Sequence, residues 1–314
     1  MTTFFSTFNI FGNHNNNSVA LSPLGESLKK LSLDYPAESR KSPFSIYPQD
    51  SHQLVIPPKR TSIDEVDFLL SINFIGEIEK AILKIVNKMY FVTSIQIFQM
   101  LNIEGFNVEH KKIQYIIKKL KNKSFLKQIE FYSVEDNESK SSFRAYTLGY
   151  HGVGIIRASG EISKLQGYIA QQPTENIKKT LATNQLLIGV MQKTEITFES
   201  LLCLIEKEGL RDILIRPRAV FKSNGHTYLV ECIRKEHNWK EVLSERLKQY
   251  QKIIRKYKNL NVPFDEKPAL LILAESYEHI IEINNLIPNT LDFSIIYSYD
   301  LALYDDVHNA FFIS

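Results

Sequence analysis

Residues 107–127, NVEHKKIQYIIKKLKNKSFLK, hold seven lysines against one acid, Glu109. Ammonium groups at that density neutralise phosphates and release their counterions, and polar side chains among them can read base edges. Further on, Glu231 stands in the apolar run LVECI, with Arg218 before it and Arg234 after it. Activating water on a hard divalent cation takes clustered carboxylates. One carboxylate does not make such a site. The chemistry on offer is therefore phosphate binding, with metal-assisted hydrolysis as a weaker possibility.

The spacing tells how the lysines must be held. Ile113, Ile116, Ile117 and Leu120 follow the i, i+3, i+4, i+7 rule, so they share one face of a helix. Lys111, Tyr115, Lys118 and Asn122 fall on the opposite face, with Lys119 beside them. Tyr115, Asn122, Gln114 and His110 are the candidates for base-edge or sugar contacts. Lys111, Lys112, Lys118 and Lys119 are candidates for phosphates or bases. Lysine-rich helices are often merely solvated, so position in the chain has to decide.

Two helices come first. EIEKAILKIVNKM, Glu77–Met89, is amphipathic, and IQIFQML, residues 95–101, can be capped by Thr93 or Ser94. Gly105 turns the chain and Asn107 is an apt cap for the basic helix. Residues 126–134 then alternate as a strand, 135–142 are a polar tip, and Phe143–Leu148 returns. Helix, helix, basic helix and two-stranded wing is the order of a winged helix-turn-helix. Lys127, Lys140 and Arg144 are placed to touch backbone from the wing.

The rest of the chain frames this unit. Residues 1–65 are rich in Asn, Ser and Pro and read as a disordered or loosely docked arm, with Phe4, Phe5, Phe8 and Phe11 as a segment that could dock. Residues 66–150 are the DNA-binding unit. Residues 151–314 read as a helical connector and an α/β domain. The connector covers 160–209, including a helix over 175–192 and another over 198–207. A β run over 212–221 leads to the hairpin turn Asn224–Gly225 and the strand 227–233. A long basic helix follows over 239–258, with Val242, Leu243, Leu247, Tyr250, Ile253 and Ile254 inward. A strand Ala269–Ala274, a helix over 277–285 and a strand over 293–297 close the domain. Overall the class is α/β, or α+β taken as a whole.

Composition excludes several classes. The net charge of +3 is too small for a general polyanion binder, so any nucleic-acid affinity must come from local clusters. Cys203 and Cys232 lie in apolar runs without a CxxC pattern, which suits buried thiols in a reducing compartment. No apolar run reaches the length of a membrane span, and the start has no leader pattern, so a cytoplasmic protein is expected. No phosphate-binding glycine loop occurs, and the histidines, His226 and His237 among them, do not pair at metal spacing. His151 in GYHGVG could sit where backbone approaches a phosphate, or in a flexible linker. Tyr146 and Tyr150 could serve as strand-transfer nucleophiles only with arginines or metal-binding histidines around them. Asp300, Asp305 and Asp306 read as solvated surface.

The pattern over residues 210–258 resembles the core of the PD-(D/E)XK nucleases, in which two strands present an Asp and an acid-x-Lys before a packed helix. Pro217 matches the motif proline and Glu231 the second acid. Arg218 stands where the Asp would be, and Ile233 where the Lys would be. Arg234 comes one place late, and Asp212 is too far back. The resemblance therefore implies a restriction-endonuclease-like mixed sheet that is inactive or repurposed, with Glu231 paired to Arg218 or Arg234. The chain from about 75 to 260 also resembles the plasmid replication-relaxation family. The marks are Tyr146, Thr147, Leu148 and Gly149 at the end of the wing, the stretch 184–190, and Leu247 with Tyr250 on the helix. That resemblance implies a role in plasmid replication, relaxation or mobilisation through DNA binding.

Together these readings give a sequence-specific double-stranded DNA-binding protein of a plasmid or mobile element, acting in replication control, mobilisation or transcription regulation. A homodimer is expected, since paired half-sites are the usual solution. No cofactor is expected. Two alternatives stay open. One is a divergent nuclease or nicking enzyme that would use Mg²⁺ at Glu231. The other is a module that binds protein through the winged helix, the α/β domain or the arm.

Overall fold

The computed structural model describes residues 6–7, 42–55, 69, 74–132, 143–163, 172–196, 198–201, 205–207, 210–259, 264, 266–288, 290–305 and 310–313. The chain is a mixed α/β protein that divides into two compact units. Residues 47–184 form one; residues 1–46 and 185–314 form the other.

The first unit is built around three helices, α1 (Glu77–Met89), α2 (Ser94–Ile103) and α3 (His110–Asn122). Ile82, Leu83, Ile85 and Val86 of α1 are buried, as their spacing requires. A capping box starts α2: the Gln96 amide donates to Thr93 Oγ1 at 3.2 Å, and the Thr93 amide donates to Gln96 Oε1 at 3.1 Å. The cap of α3 is Glu109 rather than Asn107, without a side-chain bond.

Strands β3 (Leu126–Tyr132) and β4 (Phe143–Leu148) pair antiparallel, from Leu126 opposite Leu148 to Phe131 opposite Phe143. Val92, between α1 and α2, bridges to Tyr146 of β4. A strand not anticipated, β2 (Ser51–Val55), pairs with the other edge of β3. Residues 42–55 thus belong to the fold although their composition reads as an arm. β1 (Ser6–Thr7) is the other described part of that arm; Phe4, Phe5, Phe8 and Phe11 lie outside the described residues.

Helices α4 (Tyr150–Ala158) and α5 (Thr174–Met191) follow. The sequence reads a boundary at 150, but the compact units divide at 184 and 185, inside α5. Polar contacts explain why the connector helices stay with the first unit. Asn184 Nδ2 donates to the carbonyls of Met89 at 3.0 Å and Phe91 at 2.7 Å. Gln96 Nε2 donates to Leu181 O at 2.7 Å, and buried Lys178 pairs with Asp50 at 2.5 Å.

The second unit holds a mixed sheet. Its central strands are β8 (Ala219–Ser223), β9 (His226–Cys232), β10 (Ala269–Ala274) and β11 (Ile295–Tyr299). β8 and β9 form an antiparallel hairpin, turned by Asn224 and Gly225 at φ 51° and 80°. β9, β10 and β11 run parallel in order, joined through α6 (Trp239–Arg255) and α7 (Tyr277–Asn284). Edge strands β5 (Phe198–Leu201), β12 (Phe312–Ile313) and β1 extend this sheet, with β5 on β8 and β1 on β12. β6 (Ile205–Lys207) and β7 (Leu210–Ile215) make a separate pair, and α8 (Asp300–Asp305) follows β11. Leu243, Leu247, Tyr250, Ile253 and Ile254 of α6 pack with Leu229, Leu270, Ile272 and Tyr297 of the sheet.

Three sequence expectations fail here. Residues 198–201 and 205–207, expected in one helix, are strands, because pairing with β8 and β7 outweighs a short stretch's own preference. Residues 212–221 are not one strand; Pro217, with no amide to give a ladder, separates β7 from β8. Val242 is exposed rather than part of the inner stripe.

Candidate nucleic-acid interface

The inner residues of α3, Ile113, Ile116, Ile117 and Leu120, are all buried. That fixes the helix's rotation. Lys111, Lys112, Gln114, Tyr115, Lys118 and Asn122 are in consequence all exposed, with Tyr115 at 70%. From His110 to Asn122 the helix carries no acid. Its outward stripe, Lys111, Tyr115, Lys118 and Asn122, runs for about 16 Å at a rise of 1.5 Å per residue.

Other candidates are committed within the protein. Lys119 Nζ pairs with Glu79 at 3.0 Å, donates to Phe74 O at 2.9 Å and lies 3.9 Å from the Phe74 ring centre. It ties α3 to α1 and turns away from the outer face. His110 is half-buried, its Nε2 3.4 Å from Ser94 Oγ and its ring 5.5 Å from Phe98. Burial pushes its pKa below the ordinary value, so it is a neutral spacer at neutral pH. Arg144 on β4 pairs across the strands with Glu130 at 3.1 Å. Glu130 also accepts from Gln128 at 2.7 Å and Tyr132 at 3.2 Å. Lys127 is half-exposed on β3. Lys140 and the hairpin tip lie outside the described residues.

The GYHGVG motif has a different role from either expected. A Cβ at Gly149 would stand 2.1 Å from Ser124 O, and one at Gly152 would stand 2.2 Å from Phe125 O. The glycines let α4 press onto the backbone between α3 and β3, so the motif is neither a flexible linker nor a phosphate cradle. Tyr146 of β4 is held by the Val92 bridge, and burial raises its phenol pKa. Tyr150 is exposed.

In the second unit, Glu231 projects from β9 toward α6 and is 5% exposed. Its Oε2 accepts from Arg246 Nη2 and, at 2.6 Å, from the Tyr250 hydroxyl. The cation is thus Arg246, not Arg218 or Arg234. Burial first, then the Glu231 charge, push the Tyr250 phenol well above its usual pKa, which keeps it a donor. Arg246 also donates to Arg216 O at 3.0 Å. A guanidinium stands where a metal-binding acid would need a second carboxylate. Among the described residues no three His, Cys, Asp or Glu groups gather closely enough to hold a metal ion.

No family model, curated protein or solved structure matches the chain. The site must be judged on its own residues. No helix among the described residues is long and apolar enough to cross a membrane.

Sequence reasoning missed a second buried ion pair. Arg234 Nη2 lies 2.9 Å from Asp300 Oδ1, both side chains fully enclosed. Asp300 is therefore core, not solvated surface. Ser42 Oγ donates to its other oxygen, and the Ile46 amide donates to Glu275 at 3.3 Å. Arg234, Glu275 and Asp300 lie at the carboxyl ends of β9, β10 and β11, and residues 42–46 seal that edge. No sequence signal links residues so far apart. Cys232 is buried and in no disulfide, as its apolar run suggests; Cys203 lies outside the described residues.

Proposed function

We propose that the protein binds double-stranded DNA through α3, with β3 and β4 as the wing of a winged helix-turn-helix. The supporting observation is the acid-free outer face of α3, where Lys111, Lys112, Gln114, Tyr115, Lys118 and Asn122 are all exposed while the opposite face is locked in the core. Lysines flanking a tyrosine and two amide side chains suit a groove-reading helix, phosphates fixing its register and the polar groups reading base edges. We read the second unit as a restriction-endonuclease-like domain, a reading supported by the β8–β9 hairpin and the packed α6, with Glu231 paired to Arg246. In this reading it supports dimerisation or partner docking. The resemblance noted above would place the activity in replication control, mobilisation or transcription regulation of a plasmid or mobile element, as a homodimer.

The test is a gel-shift assay on the Lys111→Glu, Lys118→Glu double variant. Loss of DNA retention with an unchanged circular dichroism spectrum and melting temperature is expected. Retention equal to the parent protein overturns the reading. A nuclease reading is not favoured, because the charge of Glu231 is already satisfied by Arg246 and Tyr250.

A further inference from the structure

The second basic cluster of the chain lies on α6 and the turn after it. Residues 248–258, KQYQKIIRKYK, contain five cations and no acid, in a protein whose net charge is only +3. Leu247, Tyr250, Ile253 and Ile254 are buried in the sheet's core, so the helix cannot rotate. Lys248, Lys252 and Lys256 recur every fourth residue and are exposed. Each step of four advances about 6 Å along the axis and turns only about 40°. They form one slowly winding row. Arg255 is matched by Asp292 at 3.1 Å. Lys248, Lys252, Lys256 and Lys258 have no salt-bridge partner among the described residues.

Helix energetics alone do not account for this. The macrodipole favours cations within the last turn, yet Lys248 stands two turns before the end of α6. Like charges four apart disfavour a helix, and a merely solvated face gains by alternating signs. Here the first half mixes signs, Lys240 and Arg246 with Glu241 and Glu245, whereas the second half carries Lys248, Lys252 and Arg255 and no acid. The surface around the lysines offers little for base recognition: Gln251 donates to Thr290 O at 3.3 Å, which leaves Gln249 as the one exposed amide side chain between Lys248 and Lys258. Tyr250 is buried and Tyr257 half-buried, so no open ring is offered for stacking on unpaired bases.

We propose that the C-terminal half of α6 is a second DNA-contacting surface that binds the phosphate backbone of duplex DNA without reading sequence. The proposal rests on the reading of the chain as a duplex-DNA protein, but on different residues. α3 supplies recognition; α6 supplies sequence-independent, salt-sensitive affinity.

Fluorescence anisotropy of the full chain on a random-sequence duplex, over a series of KCl concentrations, tests it. Each lysine that neutralises a phosphate contributes about 0.9 to the slope of log K against log salt. The Lys248→Gln, Lys252→Gln, Lys256→Gln variant is therefore expected to lower the magnitude of that slope by roughly 2 to 3. Its preference for a specific site over random duplex, once selected, should persist. An unchanged slope in this variant, with a reduced one in the Lys111→Gln, Lys118→Gln variant, overturns the α6 proposal and leaves the α3 reading intact. That result would point to an acidic protein as the occupant of α6. A reduced slope in the α6 variant alone upholds α6 and overturns α3. No binding by the parent protein overturns both.

Discussion

Glu231 gives one oxygen to a guanidinium and to a phenol, beside an apolar core that includes Leu229, Leu247 and Tyr250. Breaking such a group by removing one partner leaves a buried charge unpaired, which typically costs about 3–5 kcal/mol. Arg246→Met should therefore destabilise the protein by about that much in urea unfolding, discounted somewhat because Arg246 is partly exposed. Adding Glu231→Gln to it should recover part of the loss. Equal losses in the single and double variants would show that the pair is not coupled. His279 provides a pH test. Its ring is buried, Nδ1 accepts from the Glu275 amide at 3.4 Å, and the Trp239 ring lies edge-on at 4.7 Å. Burial first, then Lys235 and Arg234, lower its pKa to about 3. The unfolded chain takes up this proton near the ordinary value of 6.5, while the folded chain does not. Stability should thus be whole above pH 6.5 and fall as pH drops toward 3, at up to about 1.4 kcal/mol per unit from this group. His279→Gln should flatten the melting-temperature profile over that window. A profile as steep as the parent's would remove His279 as the cause.

Among the elements, α3 was the most legible in sequence. Its four apolar positions give the rotation, and the rotation gives the exposed residues. Lys119 and His110 have partners within the protein that the sequence does not reveal, because angle on a helical wheel says nothing of a neighbour's reach. Glu79 on α1 and Ser94 at the start of α2 lie close enough to capture them. Lys119→Met should lower stability by about 1 kcal/mol, the scale of a partly buried pair, and leave the salt slope for DNA unchanged. A lowered slope with intact stability would return Lys119 to the DNA face. The glycines of GYHGVG make a second test. Gly152→Ala drives a Cβ into the carbonyl of Phe125, a contact no flexible side chain can relieve. A loss of about 1–3 kcal/mol is expected in thermal or chemical unfolding. Gly154→Ala meets nothing within 4 Å and serves as the control. The helix expected over 198–207 failed for a reason of the same kind. Its short apolar runs suit either structure, and only the waiting edges of β7 and β8 decide.

For the whole molecule, the change from helical to α/β patterning is plain in the sequence, but the boundary is not. Asn184, Leu181 and Lys178 bond to residues about 85 to 128 positions away, and these bonds carry α5 into the first unit. A fragment covering 47–192 should therefore unfold cooperatively, whereas one covering 47–150 should not. Cooperative unfolding of the shorter piece would move the boundary back to the wing.

Local period, capping chemistry and charge clustering were sufficient for α1, α2, the rotation of α3, the β8–β9 hairpin and the mixed α/β class. Each rests on residues a few positions apart. Tertiary structure alone decided the partner of Glu231, the burial of Asp300 against Arg234, the strand at Ser51–Val55 and the loss of Lys119 from the outer face. Each of these joins groups that sequence separates by between 15 and 81 positions. At that distance the cost of bringing groups together, and the choice of which ones meet, belongs to the packing of the whole core.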